Sequence, residues 1–280
     1  MRVFVVKDYE DMSRQAARFV AEQVAAKPDS VLGLATGSTP LLMYRYLIDL
    51  CREAGVSFSR VTTFNLDEYV GLRKTDENSY YYYMYNHLFN FIDIRPDNIH
   101  IPNGMAADIE EECREYDQRI QQCGGIDLQV LGIGQNGHIG FNEPGVKFDA
   151  GTHQVRLNQE TIKANSRFFS TVQEVPRHAV SMGIKNIMQA RRILLLANGN
   201  NKAQAVYQAL CGEITPNIPA SVLQLHPDVT VIVEAGAADF LPDSLPENAL
   251  FGSWPHDGRC DARHKGGMCY GRTLAGFATE

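Results

Sequence analysis

The sequence has no apolar run approaching the ~18 residues needed to cross a membrane. Its opening run, Val3–Val6, is far shorter than a secretory h-region. It has no excess of positive charge: 26 Lys and Arg stand against 33 Asp and Glu, a net of −7. A net anion is a poor default partner for nucleic acid or an anionic membrane, and an anionic substrate would have to meet a few local cations. None of Cys51, Cys113, Cys123 and Cys211 forms a CxxC pair. With no secretory signal, the six cysteines read as reduced thiols in a cytoplasmic protein. There is no internal repeat and no interdomain linker. What is present is ordinary globular usage, 44% hydrophobic and 21% charged over 280 residues. That composition excludes a disordered chain, a collagen and a coiled coil, and the length is enough for a core without disulfides.

Apolar strand-like runs alternate with helical periodicity. Strands are expected at Val3–Val6, Val31–Ala35, Val61–Asn65, Ile126–Ile133, Ile193–Ala197 and Val229–Glu234. Between them, Met12, Ala16, Phe19, Val20 and Val24 recur at helical spacing, and further helices are expected up to Ala54, over Asp108–Gln122 and over Asn201–Leu210. This alternation predicts an α/β fold, a Rossmann-like open, mostly parallel sheet with helices on both faces. Residues 1–241 form the expected domain. Residues 242–280, rich in Gly, Pro and polar residues, read as a loosely ordered tail. The tail's His256, Cys260, His264 and Cys269 match no usual zinc-ligand spacing, so no metal is expected.

Ligands of such sheets bind at the carboxyl ends of strands. Thr36-Gly37-Ser38-Thr39-Pro40 follows one strand and opens a helix. It reads equally as an anion-binding turn and as an ordinary turn with Thr39 capping the helix. Asp67 and Glu68 follow another strand. A desolvated carboxylate there could act as a base, although a helix cap or a solvated acid pair is the plainer reading. The third junction holds GxGxxG at Gly132, Gly134 and Gly137. A dinucleotide fingerprint should open a helix, whereas here His138-Ile-Gly-Phe-Asn-Glu143-Pro follows, which is loop chemistry. An imidazole and a carboxylate five residues apart suit proton shuttling. Lys202, where a helix dipole disfavours a cation, hints at a bound anion. The run Tyr80–Tyr85, five of whose six residues are tyrosine, reads as mainly packing, in part around the site.

Together, Thr36-Gly-Ser-Thr, Phe64-Asn-Leu-Asp-Glu-Tyr-Val-Gly-Leu72, Gly134-Gln-Asn-Gly-His-Ile-Gly-Phe-Asn-Glu-Pro144, Ala164-Asn-Ser-Arg-Phe-Phe169 and Leu223-Gln-Leu-His226 resemble the glucosamine-6-phosphate deaminases, in order and spacing, up to about residue 240. The resemblance implies a Rossmann-like fold, the conversion of glucosamine 6-phosphate and water to fructose 6-phosphate and ammonia, and no metal or organic cofactor. It further implies ring opening by His138 with Asn136 and Glu143, proton transfer from C2 to C1 by Asp67, and phosphate binding by Thr36, Gly37, Ser38, Thr39, Arg167 and Lys202. The substrate is then a small molecule. The assembly is a monomer or a homo-oligomer.

Two features depart from the resemblance. Many relatives carry Asp where this chain has Asn136. Effector-activated relatives carry paired serines and a basic pair where this chain has Val146, Lys147, His153 and Val155, which predicts hyperbolic kinetics. Three other readings compete. A 6-phosphogluconolactonase would need no C2 base. A sugar-phosphate sensor would normally bring a basic DNA-binding module, which is absent. A galactosamine-6-phosphate enzyme would differ only in C4 stereochemistry.

Overall fold

The computed structural model describes residues 1–166, 169–242 and 250–251. In chain order the elements are β1 (Arg2–Val6), α1 (Tyr9–Ala26), β2 (Val31–Leu34), α2 (Leu41–Ala54), β3 (Thr62–Asn65), β4 (Asp67–Tyr69), α3 (Tyr80–His87), β5 (Ile99–His100) and α4 (Ile109–Gln122). There follow β6 (Leu128–Gly132), β7 (His153–Arg156), α5 (Gln159–Asn165), β8 (His178–Ser181), α6 (Ile184–Met188), β9 (Arg192–Ala197), α7 (Ala203–Cys211), β10 (Val229–Glu234) and β11 (Leu250–Phe251). The helix boundaries have local causes. Asp8 and Asp108 cap α1 and α4 through bonds from the amides of Asp11 and Glu111. Left-handed Gly55, with φ of 68°, closes α2.

The main sheet runs β11-β1-β10-β9-β6-β2-β3-β5, and every pairing in it is parallel. Alternate residues of its strands face two separate cores. Leu32, Leu34, Leu128, Val130, Leu194 and Leu196 pack under α1, α2 and α3. Val31, Leu131, Ile193, Leu195 and Val231 pack under α4, α6 and α7. This is the open α/β sheet with helices on both faces that the alternation predicts.

From β2 the chain proceeds outward through β3 to β5, and from β6 it proceeds the other way, through β9 and β10. The order therefore switches between β2 and β6. The carboxyl ends of two strands at such a switch point mark the crevice in which open α/β sheets bind ligands.

A second sheet, β4-β8-β7, is antiparallel and was not legible in the sequence. It is joined to the first by a bond from Met182 N to Leu66 O (2.7 Å). Tyr69, Phe141, Val155, Leu157, Ile162, Val175 and Ala179 form its own small core. Asp67 is thus the first residue of a strand pairing with Ser181, not the helix cap or solvated acid that its local sequence suggests.

The tail and its His256, Cys260, His264 and Cys269 lie outside the described residues, apart from Pro242 and the two-residue strand β11 beside β1. Among the described residues no helix is long and apolar enough to cross a membrane.

Candidate active site

The Thr36–Thr39 loop leaves the end of β2 with Gly37 at φ 94°, a backbone that an L side chain rarely adopts. Three phenols hold the loop carbonyls from three helices. Tyr44 donates to Ala35 O (2.5 Å), Tyr83 to Gly37 O (2.7 Å) and Tyr9 to Ser38 O (2.7 Å). Tyr9 and Tyr44 thereby join the tyrosine run in bracing this turn.

Thr39 is buried, but it does not cap α2. Pro40 occupies the capping position, and no side chain caps the helix there. The Thr39 hydroxyl donates instead to Asn198 Oδ1 (2.8 Å) and accepts from Lys202 Nζ (3.1 Å). Lys202 sits just before α7 and across the crevice from β2. A braced turn ahead of a 14-residue helix, with an ammonium beside it, has the chemistry to hold a dianion.

Asp67 is 6% exposed. Burial, and then the neighbouring Glu68 carboxylate, push it up to about 8. Glu68 is buried too and is pushed up to about 7, against the opposing pull of backbone N–H groups from Tyr80, Tyr81 and Tyr69. The Gly134–Pro144 loop lies over Asp67: a Cβ added at Gly140 would stand 3.6 Å from Asp67 Oδ2. Ser181 and Asn142 fasten the loop there, through bonds from Phe141 N to Ser181 Oγ (3.0 Å) and from Asn142 Nδ2 to Met182 O (2.9 Å).

The loop carries a polar relay. Glu143 can only accept, so the Asn136 amide presents Nδ2 to it (2.9 Å) and turns Oδ1 toward His138 Nδ1 (2.7 Å). Nδ1 must then donate, which leaves the lone pair on Nε2. Asn158 Nδ2 (2.6 Å) and the Thr161 hydroxyl also donate to Glu143. Burial lowers the affinity of His138 for a proton, Glu143 opposes that shift, and Lys202 adds to it. The imidazole is therefore neutral near pH 7 and can take a proton at Nε2. Its ring lies against Gly134, where any Cβ would fall 2.2 Å from Cε1. The glycines that mimic a dinucleotide fingerprint thus include one that makes room for an imidazole.

The structure gathers Asp67, Asn136, His138, Glu143, Thr36–Thr39 and Lys202 around one crevice. Arg167 lies outside the described residues. Sequence reading missed Asn158 and Thr161, which hold Glu143, while Tyr83 bears out the expectation that part of the tyrosine run lies around the site. An Asn-x-x-Thr helix start was the available signal, since Asn158 caps α5 through Thr161 N (2.7 Å). At the positions that differ from effector-activated relatives, Val146 packs against the core, Lys147 is exposed and His153 Nδ1 lies 2.9 Å from Gly151 O. A cavity of about 300 Å³, lined by Ile120, Gly125, Ile126 and Gln189, opens before the start of β6. It is at the opposite end of the sheet from the relay and bears no catalytic group.

A family model described as glucosamine-6-phosphate isomerases/6-phosphogluconolactonase matches residues 7–232. A glucosamine-6-phosphate deaminase of Clostridium botulinum (strain Kyoto / Type A2) is 58% identical over 241 residues, which are 86% of this chain and 99% of that one. One from Thermoanaerobacter pseudethanolicus is 53% identical over 243 residues, 87% of this chain and 96% of that one. Among solved structures, a monomeric glucosamine-6-phosphate deaminase matches with a TM-score of 0.84 at 50% identity, over 85% of this chain and 99% of that one. The 6-phosphogluconolactonase from Trypanosoma cruzi matches at 0.68 with 18% identity, over 86% and 96%, and so shares the fold alone. Sequence identity separates the two chemistries that the family model joins, and this chain belongs to the glucosamine-6-phosphate isomerase/6-phosphogluconolactonase family, on its glucosamine-6-phosphate deaminase branch.

Proposed function

We propose that the protein is an enzyme of amino-sugar catabolism converting glucosamine 6-phosphate and water to fructose 6-phosphate and ammonia. The observation that carries this reading is the pairing of a buried carboxylate base, Asp67, with a neutral His138–Asn136–Glu143 relay at one crevice. An aldose–ketose isomerisation needs both: one group to open the ring and another to move a carbon-bound proton.

In this reading the Thr36–Thr39 turn, Lys202 and Arg167 hold the phosphate, whose remote binding energy positions C1 and C2. His138 Nε2 takes the proton of the anomeric hydroxyl and delivers it to the ring oxygen, giving the open aldehyde. Asn136 and Glu143 hold the tautomer that makes this possible. Asp67 then takes the C2 proton, the C–H pair forms the C1–C2 double bond of an enolamine, and the carbonyl pair moves onto O1, which gains the proton that the substrate's ammonium gives up. Returning the proton to C1 gives the C2 iminium. Water adds to C2 and ammonia leaves, producing the ketone. A carboxylate with a raised pKa is the stronger base for a C–H bond. The residues suffice for each proton step without a metal or an organic cofactor, and the cytoplasm is the setting we assign.

The test is the release of ammonia and fructose 6-phosphate from glucosamine 6-phosphate, measured beside hydrolysis of 6-phosphogluconolactone and turnover of galactosamine 6-phosphate. Deamination of the glucosamine compound and no lactone hydrolysis are expected. Lactone hydrolysis without deamination would overturn the reading.

A further inference from the structure

Glu68 has no step in the reaction proposed above, yet it is 3% exposed and holds more backbone donors than Asp67 beside it. Its Oε1 accepts from Tyr69 N (2.8 Å) and Tyr80 N (2.9 Å), and its Oε2 from Tyr81 N (2.9 Å). Tyr80 and Tyr81 are the first two residues of α3, whose N–H groups have no acceptor within the helix. Ser79 caps the next, Tyr82 N (3.0 Å). The carboxylate therefore completes a helix N-terminus, where negative charge is favoured.

That helix also reaches the phosphate turn, through Tyr83 and Gly37 O, and stacks Tyr80 on Phe141 in the relay loop, with ring centroids 6.0 Å apart. One side chain thus ties the strand of the base to the helix that braces the turn.

We propose that Glu68 is a positioning residue for Asp67: it fixes the distance from the base to the phosphate turn and keeps a pinned negative charge beside the base. The proposal rests on the deaminase reading for its consequence, while its physical content is a coupling between two carboxyl groups. Three N–H donors favour the ionised form of Glu68, so Glu68 loses its proton first and Asp67 then titrates against a fixed anion. The other titratable groups facing Asp67 are the phenols of Tyr44, Tyr80 and Tyr116, from α2, α3 and α4. Burial pushes all three upward, so they remain neutral. From the other side, β8 and the relay loop contribute Ser181 and Asn142, which do not titrate. After burial, Glu68 is accordingly the charge that raises Asp67 further.

The experiment is a carboxyl-carbon NMR titration of the full chain without substrate, in the wild type, Glu68→Gln and Asp67→Asn, followed by kcat/KM against pH for the wild type and Glu68→Gln. In Glu68→Gln the Asp67 midpoint should fall by on the order of one pH unit, and the acid limb of kcat/KM should move down with it. Glu68 ionises while Asp67 is still protonated, so its own midpoint should hold within about 0.3 unit in Asp67→Asn, where the neighbour is neutral throughout. If Glu68→Gln does not fold, the order of the two wild-type midpoints carries the test, and Asp67 titrating before Glu68 would overturn the proposal. An Asp67 midpoint that stays within about 0.3 unit in Glu68→Gln would reduce Glu68 to an anchor of α3 and overturn the proposal. Absence of deamination by the wild type would retire the deaminase reading while leaving the titration result standing.

Discussion

The two ends of the main sheet each bury an aspartate at a strand boundary, and they treat it in opposite ways. Asp127, just before β6, receives Lys27 Nζ (2.8 Å), Arg191 Nη1 (2.9 Å) and Val31 N (2.8 Å). Its donors bind α1, β2 and the approach to β9 together at the amino end. Asp67, at the carboxyl end, meets no cation among the described residues, and its neighbour is another acid. A partnered carboxylate is a strut, whereas an unpartnered one is held in a state that only a substrate proton or a raised pKa relieves. Burial is thus the same at both ends, and partners decide which acid is structural and which is poised to react.

Substitution of each aspartate should separate these roles. Asp67→Asn keeps shape and removes basicity. Turnover should fall at least ~100-fold, with loss of hydrogen exchange at C2, while Tm holds or rises because a desolvated acid is gone. Near-normal exchange would remove Asp67 as the base.

Next in size, Lys202→Ala should act at the same end through binding. KM for the phosphorylated sugar should rise by roughly 10- to 100-fold, the equivalent of a charge-assisted bond worth about 1.5–3 kcal/mol, with kcat little changed. An unchanged KM would put the phosphate elsewhere.

Asp127→Asn should reverse the pattern. Its cations are half exposed and can return to water, so a loss of about 1–2 kcal/mol in urea unfolding is expected, with kcat preserved. A loss of activity without a loss of stability would break the comparison.

The pH response sharpens it. Asp67 has a raised pKa, so it favours the folded state below its unfolded value of ~3.9, and that contribution is lost as pH rises through about 8. Activity needs the ionised form and rises over the same upper range. The pH dependence of stability should therefore flatten in Asp67→Asn. A curve parallel to that of the wild type would show that the acid is not perturbed.

The smallest effect belongs to Tyr83→Phe, which removes one bond to Gly37 O. A few-fold rise in KM is expected, corresponding to about 1 kcal/mol, with no change in the pH profile.

The sequence by itself determined the parallel sheet, because its central strands are buried on both faces and read as unbroken apolar runs between amphipathic helices. It also singled out Asp67, His138, Glu143 and Lys202 as candidate site residues, since they lie on the segments that follow β3, β6 and β9, at the carboxyl ends of the sheet strands. It did not reveal β4, β7 and β8, which are three or four residues long and pair across gaps that no local period records. Nor did it reveal that Thr39 bonds Asn198 and Lys202 instead of capping α2, or that Asn158 and Thr161 hold Glu143. Tertiary structure alone decided which acid is partnered and which is not, because the donors that stabilise a buried carboxylate come from residues up to 100 positions away. The apolar pattern that builds the sheet is local, but the electrostatics that raise the Asp67 pKa and pin Asp127 between its donors arise only when distant groups are brought together.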